Sequence, residues 1–395
     1  MKILMICGVY AEENEKDVLA YSKGYVEQSA NIFQRKLIRG IEKNNIEHKI
    51  ISAPLIGAYP MRFKKSRFTG FEEECNRYEY VLFNNIWGMR NISRTISLKK
   101  AIKKYFENES EDEFLILVYC PHTPFLEAAI YAKELKPKSK VCLIVPDLPQ
   151  YMNLNESKRG LYDFFKKIDI RHMEKFIAKV DSFVLLTEPM KDVLCVGDRP
   201  YLVVEGIIDI DSYKSSKIST VSDGIKRIVY TGKINMKFGI KELVDSFMKI
   251  EDPKFRLILC GDGDARTYVE EMAMVDNRIE YKGMVTASKA REYIDMADVL
   301  VNPRPNNEKY TKYSFPSKNI EYLMTGKPVV AYMLDGMPLH YQDYLYEIPL
   351  GKSNFEANLI EAFEKKNLKL NFKEYAKVYL ESSRVIEAII NMYKS

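Results

Sequence analysis

One segment predicts the fold class most directly: Tyr313-Ser314-Phe315-Pro316-Ser317-Lys318-Asn319-Ile320-Glu321-Tyr322-Leu323-Met324-Thr325-Gly326-Lys327-Pro328-Val329-Val330-Ala331. Pro316 and Ser317 suit the cap and first turn of a helix. The helix is predicted to end at Gly326, where a left-handed cap costs least, and Pro328 prevents its continuation. The apolar run Val329–Ala331 then predicts a buried strand. The segment therefore indicates a loop, a short helix, a turn and a strand, as in an α/β domain.

Charged side chains accompany the start of this predicted helix. Lys318 and Glu321 lie close to its N-terminus, where free N–H groups and the positive end of the helix dipole suit a phosphate. A glutamate carboxylate can accept hydrogen bonds from sugar hydroxyls. Phosphate and sugar hydroxyls together indicate a nucleotide. The alternative is an ordinary surface helix whose Lys318 and Glu321 are solvated.

The residue pattern of the segment favours a nucleotide site over a solvated surface helix. Phe315-Pro316-x-Lys318-x-x-Glu321-Tyr322, followed by Gly326-Lys327-Pro328-Val329-Val330, strongly resembles the nucleotide-sugar site of the retaining glycosyltransferases of family 4. The resemblance implies a GT-B fold with two doubly wound Rossmann-like domains that face a central cleft, and a C-terminal helix that crosses back to the first domain. It also implies donor-binding roles for Ser314, Phe315, Pro316, Ser317, Lys318 and Glu321.

Length and composition agree with a two-domain globular protein. The chain has 395 residues, of which 46% are hydrophobic and 29% are charged, and its net charge is only +5. Such a weak charge gives no reason to expect nucleic acid as a partner. The six cysteines are scattered without Cys-x-x-Cys spacing, and there are only four histidines. We therefore expect reduced thiols, no metal site and no cofactor.

Apolar runs alternate with amphipathic segments along two successive series. The two series predict two domains, divided at about residue 210. The resemblance implies that residues 1–209 with 375–395 form an acceptor-binding domain and that residues 210–374 form a donor-binding domain. Ile210 to Gly224 is the predicted linker, and Phe372 to Ser395 is predicted to form one or two helices. Two helices predicted in the first domain are Tyr25 to Lys43 and Phe125 to Glu134. The predicted strands are Lys2 to Cys7, His48 to Ser52, Tyr80 to Asn84, Phe114 to Tyr119, Val141 to Val145, Ser182 to Leu186, Tyr201 to Val204, Ile228 to Lys233, Arg256 to Cys260, Ile279 to Tyr281, Asp298 to Val301 and Val329 to Ala331.

Two lysines follow the first strand of the second series. Gly232-Lys233 ends that strand, and Lys237 precedes the next helix. Open α/β sheets bind ligands beyond the carboxyl ends of their strands, so the two cations suit a diphosphate. Surface lysines near glycine are common, which is the alternative. The resemblance implies that Gly232, Lys233 and Lys237 bind the donor's phosphates.

The next two strands carry weaker signals. Cys260-Gly261-Asp262-Gly263-Asp264 forms a turn in which the two glycines would let the backbone approach a ligand. The two aspartates are interpreted as turn residues, not as metal ligands. The resemblance implies that Gly261 and Gly263 line the donor pocket and that Tyr281 lies in the strand and loop that hold the base.

Asn302-Pro303-Arg304 follows a buried strand and carries one guanidinium, which can bind phosphate or sugar oxygens. A surface ion pair is the alternative. The sequence Asn302-Pro303-Arg304, together with Ser314-Phe315-Pro316-Ser317-Lys318, resembles a bacterial branch of the family. That branch is associated with capsule and exopolysaccharide synthesis.

One position departs from the family. Its hallmark has two glutamates separated by seven residues, and Tyr313 stands where the first glutamate is expected. That glutamate ordinarily contacts the donor sugar. Glu308 is near enough in sequence to be a substitute.

In the first domain, His122 follows a strand in Tyr119-Cys120-Pro121-His122, and we expect it in a loop that faces the cleft. A lone histidine in a loop is usually only solvated. The resemblance implies a catalytic role for Lys233, Lys237 and Arg304, and more loosely for His122 near the donor sugar.

A basic and aromatic segment in the first domain suggests contact with a membrane. Its residues Arg62, Phe63, Lys64, Lys65, Arg67 and Phe68 suit an anionic surface that carries a lipid-linked acceptor. A solvated basic loop is the alternative. No apolar run reaches 18 residues and the N-terminus is interpreted as a strand, so we expect a cytoplasmic protein, peripheral at the inner membrane face.

The predicted function is therefore transfer of a sugar, with retention and without metal, from a nucleotide diphosphate sugar, most simply UDP-linked, to a lipid-linked or growing bacterial glycan. Two alternatives stay open. One is a partner in glycan synthesis that binds nucleotide without transfer, suggested by Tyr313. The other is a nucleotide-sugar epimerase of the same architecture, which would need acid and base groups such as His122 and Glu205.

Overall fold

The structure is a computed structural model that describes the chain except residues 25, 27, 72–76, 149–159, 214–222, 350–354, 366–369 and 395. Most of the predicted linker, the start of the helix predicted from Tyr25, and Cys75 lie outside the described residues. The chain forms two compact units. Unit 1 comprises Met1–Ile208 and Leu380–Ser395, and unit 2 comprises Asp209–Tyr379.

Unit 1 is built on a parallel sheet of seven strands. The strand order is β4-β2-β1-β6-β7-β8-β9, and a separate antiparallel pair joins β3 to β5. The central strands are buried along nearly their whole length, as expected when helices cover both faces of a parallel sheet. The strands are β1 Lys2–Cys7, β2 His48–Ser52, β3 Arg67–Phe68, β4 Glu79–Tyr80, β5 Phe83–Asn84, β6 Phe114–Tyr119, β7 Lys140–Val145, β8 Ser182–Leu185 and β9 Tyr201–Val203.

The helices of unit 1 surround this sheet, and the last of them comes from the end of the chain. Among the described helices of both units, none combines the length and apolar character needed to cross a bilayer. The helices of unit 1 are α1 Glu15–Tyr21, α2 Ser29–Lys43, α3 Arg90–Glu107, α4 Thr123–Leu135, α5 Gly160–Ile177, α6 Met190–Val193 and α13 Ser382–Lys394.

The prediction of one strand from Tyr80 to Asn84 is wrong. β4 pairs with β2 in the large sheet, whereas β5 pairs with β3, so the chain leaves one sheet and enters another within this segment. Val81 and Leu82, which connect β4 to β5, are also apolar. The sequence therefore gives no sign that the strand is interrupted there.

The C-terminal helix α13 packs on α2 within unit 1. Gly40 of α2 makes this possible, because a Cβ there would lie 2.3 Å from the carbonyl oxygen of Ser382. Lys43 Nζ lies 2.8 Å from the Glu381 carboxylate, and Asn44 Nδ2 donates to the carbonyl of Ser383 at 2.9 Å. The predicted return of a C-terminal helix to the first unit is confirmed.

Unit 2 has a parallel sheet of six strands in the order β12-β11-β10-β13-β14-β15. Its core packs around β10, β11 and β13 and includes α7, α8 and α11. The strands are β10 Lys226–Thr231, β11 Phe255–Cys260, β12 Ile279–Gly283, β13 Val299–Asn302, β14 Val329–Ala331 and β15 Tyr346–Glu347. The helices are α7 Ile240–Phe247, α8 Arg266–Val275, α9 Ala287–Met296, α10 Ser317–Leu323, α11 Phe355–Glu364 and α12 Phe372–Tyr379. Short 3₁₀ helices span Ile210–Tyr213, Met236–Phe238, Thr311–Tyr313 and Leu339–Asp343.

Candidate functional site

The carboxyl edge of the unit 2 sheet brings most of the predicted site residues together. β10 pairs with β11 on one side and with β13 on the other, so successive strands depart from β10 in opposite directions. Such a switch point leaves a crevice beyond the strand ends, where ligands of open α/β sheets bind. The loops after β10 and β13 begin there, and they carry Lys233 and Arg304.

Two buried hydrogen-bonded contacts fix α10 against this edge. Tyr322 Oη accepts from the backbone N–H of Thr231 at 2.8 Å and lies 3.2 Å from the Thr231 carbonyl oxygen. Burial raises the pKa of Tyr322, so its hydroxyl keeps its proton. Asn302 Nδ2 donates to Asn319 Oδ1 at 2.6 Å. α10 is therefore held at the ends of both β10 and β13, by residues that the sequence analysis did not assign.

Glu321 lies on the outer side of α10. Its carboxylate is 2.7 Å from Lys318 Nζ, and both side chains are about a third exposed, so neither is removed from solvent. The pKa of Tyr213 is raised to about 12, chiefly by burial and secondarily by the Glu321 charge. Arg291 lies over the ring of the same tyrosine. Glu321 thus presents a partly solvated carboxylate that is paired with Lys318.

The residues that lead into α10 differ in what they can offer a ligand. Phe315 is 6% exposed and packs on Tyr341, with ring centroids 5.0 Å apart, so only its backbone is available. Pro316 is the N-cap and caps no amide with its side chain. Ser317 begins the helix and is exposed. α10 therefore starts without a side-chain cap on its first amides.

Three glycines of the neighbouring loops lie where a side chain would overlap other protein atoms. A Cβ at Gly261 would lie 1.7 Å from the Gly232 carbonyl oxygen, and Gly261 has a φ of +138°. A Cβ at Gly263 would lie 2.4 Å from the Ile234 carbonyl oxygen, and one at Gly232 would lie 2.8 Å from Tyr230 Oη. A side chain at any of these three positions would overlap protein atoms, so the close packing here requires glycine. The predicted contact of Gly232, Gly261 and Gly263 with the donor stays a prediction.

The two aspartates of the Gly-Asp-Gly turn are bonded to backbone amides. Asp264 Oδ1 accepts from Met236 N at 2.7 Å and so holds the 3₁₀ helix that carries Lys237. Asp262 Oδ1 accepts from Gly263 N at 2.9 Å. Their role in the described structure is to shape the loop.

Three cations lie along the crevice. Lys233 is exposed directly after β10. Lys237 Nζ lies 5.5 Å from the ring centroid of Phe238, and Arg304 Cζ lies 5.6 Å from the same centroid. Arg304 also lies 5.4 Å from the ring of Tyr310. Phe238 therefore contacts Lys237 and Arg304, and Tyr310 contacts Arg304. Neither aromatic residue was predicted as part of the site.

The Arg304 guanidinium makes an incomplete set of hydrogen bonds. It donates from Nη2 to Ser314 Oγ at 3.0 Å, which joins two predicted site residues. Its Nε is buried and has no hydrogen-bond partner in the described structure. An unsatisfied buried donor costs about 1–3 kcal/mol, and an anionic oxygen from a ligand would remove this cost.

Tyr281 lies beside the loop that follows β11. Its hydroxyl donates to the carbonyl of Gly261 at 2.9 Å, and burial raises its pKa. The hydroxyl is therefore already engaged, and the ring face is what remains for a ligand.

Tyr313 ends the 3₁₀ helix before α10 and is half-buried. Lys312 Nζ lies 4.8 Å from its ring centroid. Glu308 is exposed, and its carbonyl accepts from the backbone N–H of Thr311 at 3.0 Å in the preceding turn.

His122 belongs to unit 1 and is not part of this edge. It is the N-cap of α4, and its ring packs against Phe125 at 4.7 Å. Burial lowers the pKa of His122 well below its ordinary value, and the Arg94 and Arg90 charges lower it further. His122 therefore lies in the loop between β6 and α4, as predicted, but its ring is partly enclosed and not simply solvated.

Two residues of the predicted membrane segment face inward. Phe63 and Phe68 are each 4% exposed. Phe63 packs on Tyr21, and Phe68 stacks on Phe83 with centroids 5.2 Å apart. The prediction that their rings face a membrane is wrong, whereas Arg62, Lys64, Lys65 and Arg67 are exposed.

Comparison with known proteins adds a family match within unit 2. Residues 225–362 match the family model described as "Glycosyl transferases group 1". Among curated protein sequences, none matches the chain.

Solved structures resemble the whole chain. The lipopolysaccharide outer core galactosyltransferase WaaB in its apo form has 14% identity and a TM-score of 0.61, with 100% of this chain and 99% of that chain covered. Sucrose-phosphate synthase from Thermosynechococcus elongatus has 14% identity and a TM-score of 0.62, with 100% and 98% covered. The Anabaena protein HepE in complex with UDP has 13% identity and a TM-score of 0.61, with 100% of both chains covered. At these identities the likeness concerns the fold, and it confirms the predicted GT-B class with two Rossmann-like units.

Proposed function

We propose that this chain is a retaining glycosyltransferase that uses a UDP-linked sugar as donor and a lipid-linked or growing bacterial glycan as acceptor. The family match in unit 2 and the GT-B likeness support a glycosyltransferase of this general type. The UDP donor is supported by the HepE structures, which contain UDP or UDP-glucose. The acceptor and the retention of configuration rest on the resemblance of the 302–321 motifs to a family 4 branch.

One observation carries the proposal. Arg304, whose buried Nε has no hydrogen-bond partner in the described structure, follows β13. Lys233 and Lys237 follow the neighbouring strand β10, at the same edge of the sheet. Three cations around a crevice suit the two phosphates of a nucleotide diphosphate. Glu321, held by the Tyr322 contact to Thr231, supplies an acceptor for sugar hydroxyls.

In the proposed reaction the acceptor oxygen attacks the anomeric carbon from the side on which the diphosphate leaves. The bond from that carbon to the diphosphate breaks, and the departing diphosphate takes the acceptor's proton. No protein nucleophile is required. Lys233, Lys237 and Arg304 would stabilise the negative charge that develops on the diphosphate, which is the role proposed for them in place of a metal ion.

Tyr313 favours a second candidate, a partner that binds the nucleotide and transfers no sugar. Tyrosine has a phenol at this position, whereas the family has a carboxylate that contacts the donor sugar. The nucleotide-binding residues would be unaffected by this change. The two candidates therefore differ in chemistry and agree on binding.

Release of UDP from a panel of UDP-sugars, measured with EDTA present, tests the enzyme. We expect the wild-type protein to release UDP from one or more donors. Arg304→Ala is expected to lower the rate by about 10²–10³-fold, the usual cost of removing one charge-stabilising group. An Arg256→Ala variant is a matched control, because among the described residues Arg256 donates to the backbone carbonyls of Pro253 and Phe255 at the start of β11. Tight binding of UDP with no release from any donor would favour the non-catalytic partner.

A further inference from the structure

Unit 1 exposes a group of large apolar side chains around the start of α3. Each is at least 40% exposed, and the most exposed are Met61 at 69%, Ile92 at 65% and Ile96 at 63%. We call this group the α3 patch. It consists of Met61, Leu82, Ile86, Trp87, Met89, Ile92 and Ile96.

Backbone and side-chain contacts place these residues next to one another. The N–H of Trp87 donates to the carbonyl of Tyr59 at 3.3 Å, which brings the loop with Met61 beside Trp87. Ser97 Oγ donates to the carbonyl of Leu82 at 2.6 Å, which brings Leu82 beside α3. These two contacts place the segments that carry the patch next to one another.

Lysines continue the same stripe of α3. Ile92, Ile96, Lys100 and Lys103 are exposed and follow one another at intervals of four, four and three residues. Residues at this spacing lie on one face of a helix. The outward face of α3 is thus apolar in its first turns and basic in its later turns.

The two segments of the chain that form the patch carry no carboxylate, although Glu127 of α4 pairs with Lys99 at 2.7 Å and Asp17 of α1 lies near Lys65 and Arg67. Residues 80–106 contain six Lys and Arg and no Asp or Glu, and residues 54–71 contain four Lys and Arg and no Asp or Glu. Arg94 is buried, while Lys64, Lys65, Lys100, Lys103 and Lys104 are exposed. The exposed lysines beside the apolar side chains favour an anionic partner.

We propose that the α3 patch docks unit 1 on a bilayer surface that contains anionic lipids. Tryptophan and aliphatic side chains beside lysine and arginine suit the boundary between headgroups and acyl chains. Each basic residue near an anionic leaflet adds about 1 kcal/mol of attraction, which is equivalent to about fivefold in partition. A symmetric contact with a second copy would bring two surfaces with the same positive charge together, so self-association is disfavoured. The proposal differs in residues from the sequence-based one, since Phe63 and Phe68 are replaced by the α3 patch, and it does not rest on the proposed function.

Co-sedimentation of the full chain with phospholipid vesicles tests the proposal. The wild-type protein is expected to pellet with phosphatidylglycerol-containing vesicles and to pellet much less with phosphatidylcholine alone. Raising the salt from about 0.1 M to about 1 M shortens the Debye length from about 10 Å to about 3 Å and should release the protein.

Two variants locate the contact. Ile92→Ser combined with Ile96→Ser removes exposed apolar surface, and we expect at least a tenfold loss of partition with an unchanged melting temperature. Met274→Ser combined with Val275→Ser is the control, because these residues are 86% and 70% exposed in unit 2. Equal partition of both double variants, or equal pelleting with neutral and anionic vesicles, would overturn the proposal. A dimer that the Ile92/Ile96 variant splits in light scattering would overturn it in favour of a second copy.

Discussion

At the residue scale, the candidate site contains buried polar groups in two different states. The Tyr322 hydroxyl is fully engaged with Thr231, whereas Arg304 Nε has no partner in the described structure. The first contact contributes to the stability of unit 2, because burying an unpaired amide is costly. The second leaves a donor for a ligand. Stability and binding are thereby assigned to different residues of one crevice.

Tyr322→Phe should destabilise the protein. The substitution leaves the N–H of the buried Thr231 without its acceptor, and we expect a loss of about 1–3 kcal/mol in the free energy of unfolding of unit 2. Urea unfolding followed by tryptic protection of unit 2 measures it. Tyr379→Phe is the matched control, since Tyr379 is 62% exposed and surface changes usually stay within about 0.5 kcal/mol. An equal effect of both variants would show that the Tyr322 hydroxyl does not support β10.

His122 should make stability depend on pH. Its pKa in the folded protein is depressed below 6.5, so the unfolded chain takes up a proton first as the pH falls. The folded state therefore loses stability as the pH drops below about 6.5, by at most about 1.4 kcal/mol per pH unit. Melting temperatures measured between about pH 8 and about pH 5 give this slope. This pH range brackets the ordinary histidine pKa of about 6.5.

The control for this prediction uses the same chemistry at an exposed position. His122→Gln should flatten the slope, whereas His172→Gln should leave it unchanged because His172 is exposed. An unchanged slope in His122→Gln would contradict the assignment of a neutral buried ring.

The sequence predicted residue types at the site better than their directions. Lys233, Lys237 and Arg304 follow strands, and their position beyond a sheet edge could be inferred because parallel strands end together. Phe315 also lies in the strongest motif, yet its ring points to Tyr341. The motif does not indicate towards which side of the loop a side chain points. The same holds for Gly261, whose neighbour is the Gly232 carbonyl of another loop.

At the element scale, apolar runs predicted the central strands well. Strands such as β6 are buried at every residue, and a continuous apolar run is the sequence pattern of a strand covered on both faces. The prediction of a single strand from Tyr80 to Asn84 was wrong because the two ends of this segment pair in different sheets, although its apolar pattern continues. Pairing partners are distant in sequence, so local periodicity cannot reveal such a break.

Gly40→Ala tests how α13 is seated on α2. Alanine raises helix propensity by about 1 kcal/mol relative to glycine. Its Cβ would, however, lie 2.3 Å from the Ser382 carbonyl oxygen, so the two helices must separate. Overpacking of this kind costs about 1–3 kcal/mol, and we expect the net effect to be destabilising.

The melting temperature and hydrogen exchange in α13 measure this effect. Glu42→Ala in the same helix is the control, because Glu42 is exposed and alanine there adds no contact with α13. A Gly40→Ala protein as stable as Glu42→Ala would mean that α13 does not require this close approach.

At the scale of the whole molecule, the two alternating series in the sequence correspond to two compact units with parallel sheets. The series could be read because each strand and helix has its own periodicity. The edges of the units depend on which residues pack together. For example, the N–H of Ile208 donates to the carbonyl of Leu380, which is far away in the sequence. The family match falls within unit 2, where the sequence motifs are also most specific.

The most direct test of the account is calorimetric titration of the full chain with UDP. We expect saturable binding that Lys233→Ala and Glu321→Ala each weaken by about tenfold or more, as for loss of a charged hydrogen bond of about 1.5–3 kcal/mol. Glu387→Ala is the matched control, since it breaks a similar exposed ion pair, with Arg384 of α13 in unit 1, and should bind UDP as the wild type does. Failure to bind UDP, or equal affinity in all four proteins, would contradict the assignment of the donor site to the carboxyl edge of the unit 2 sheet.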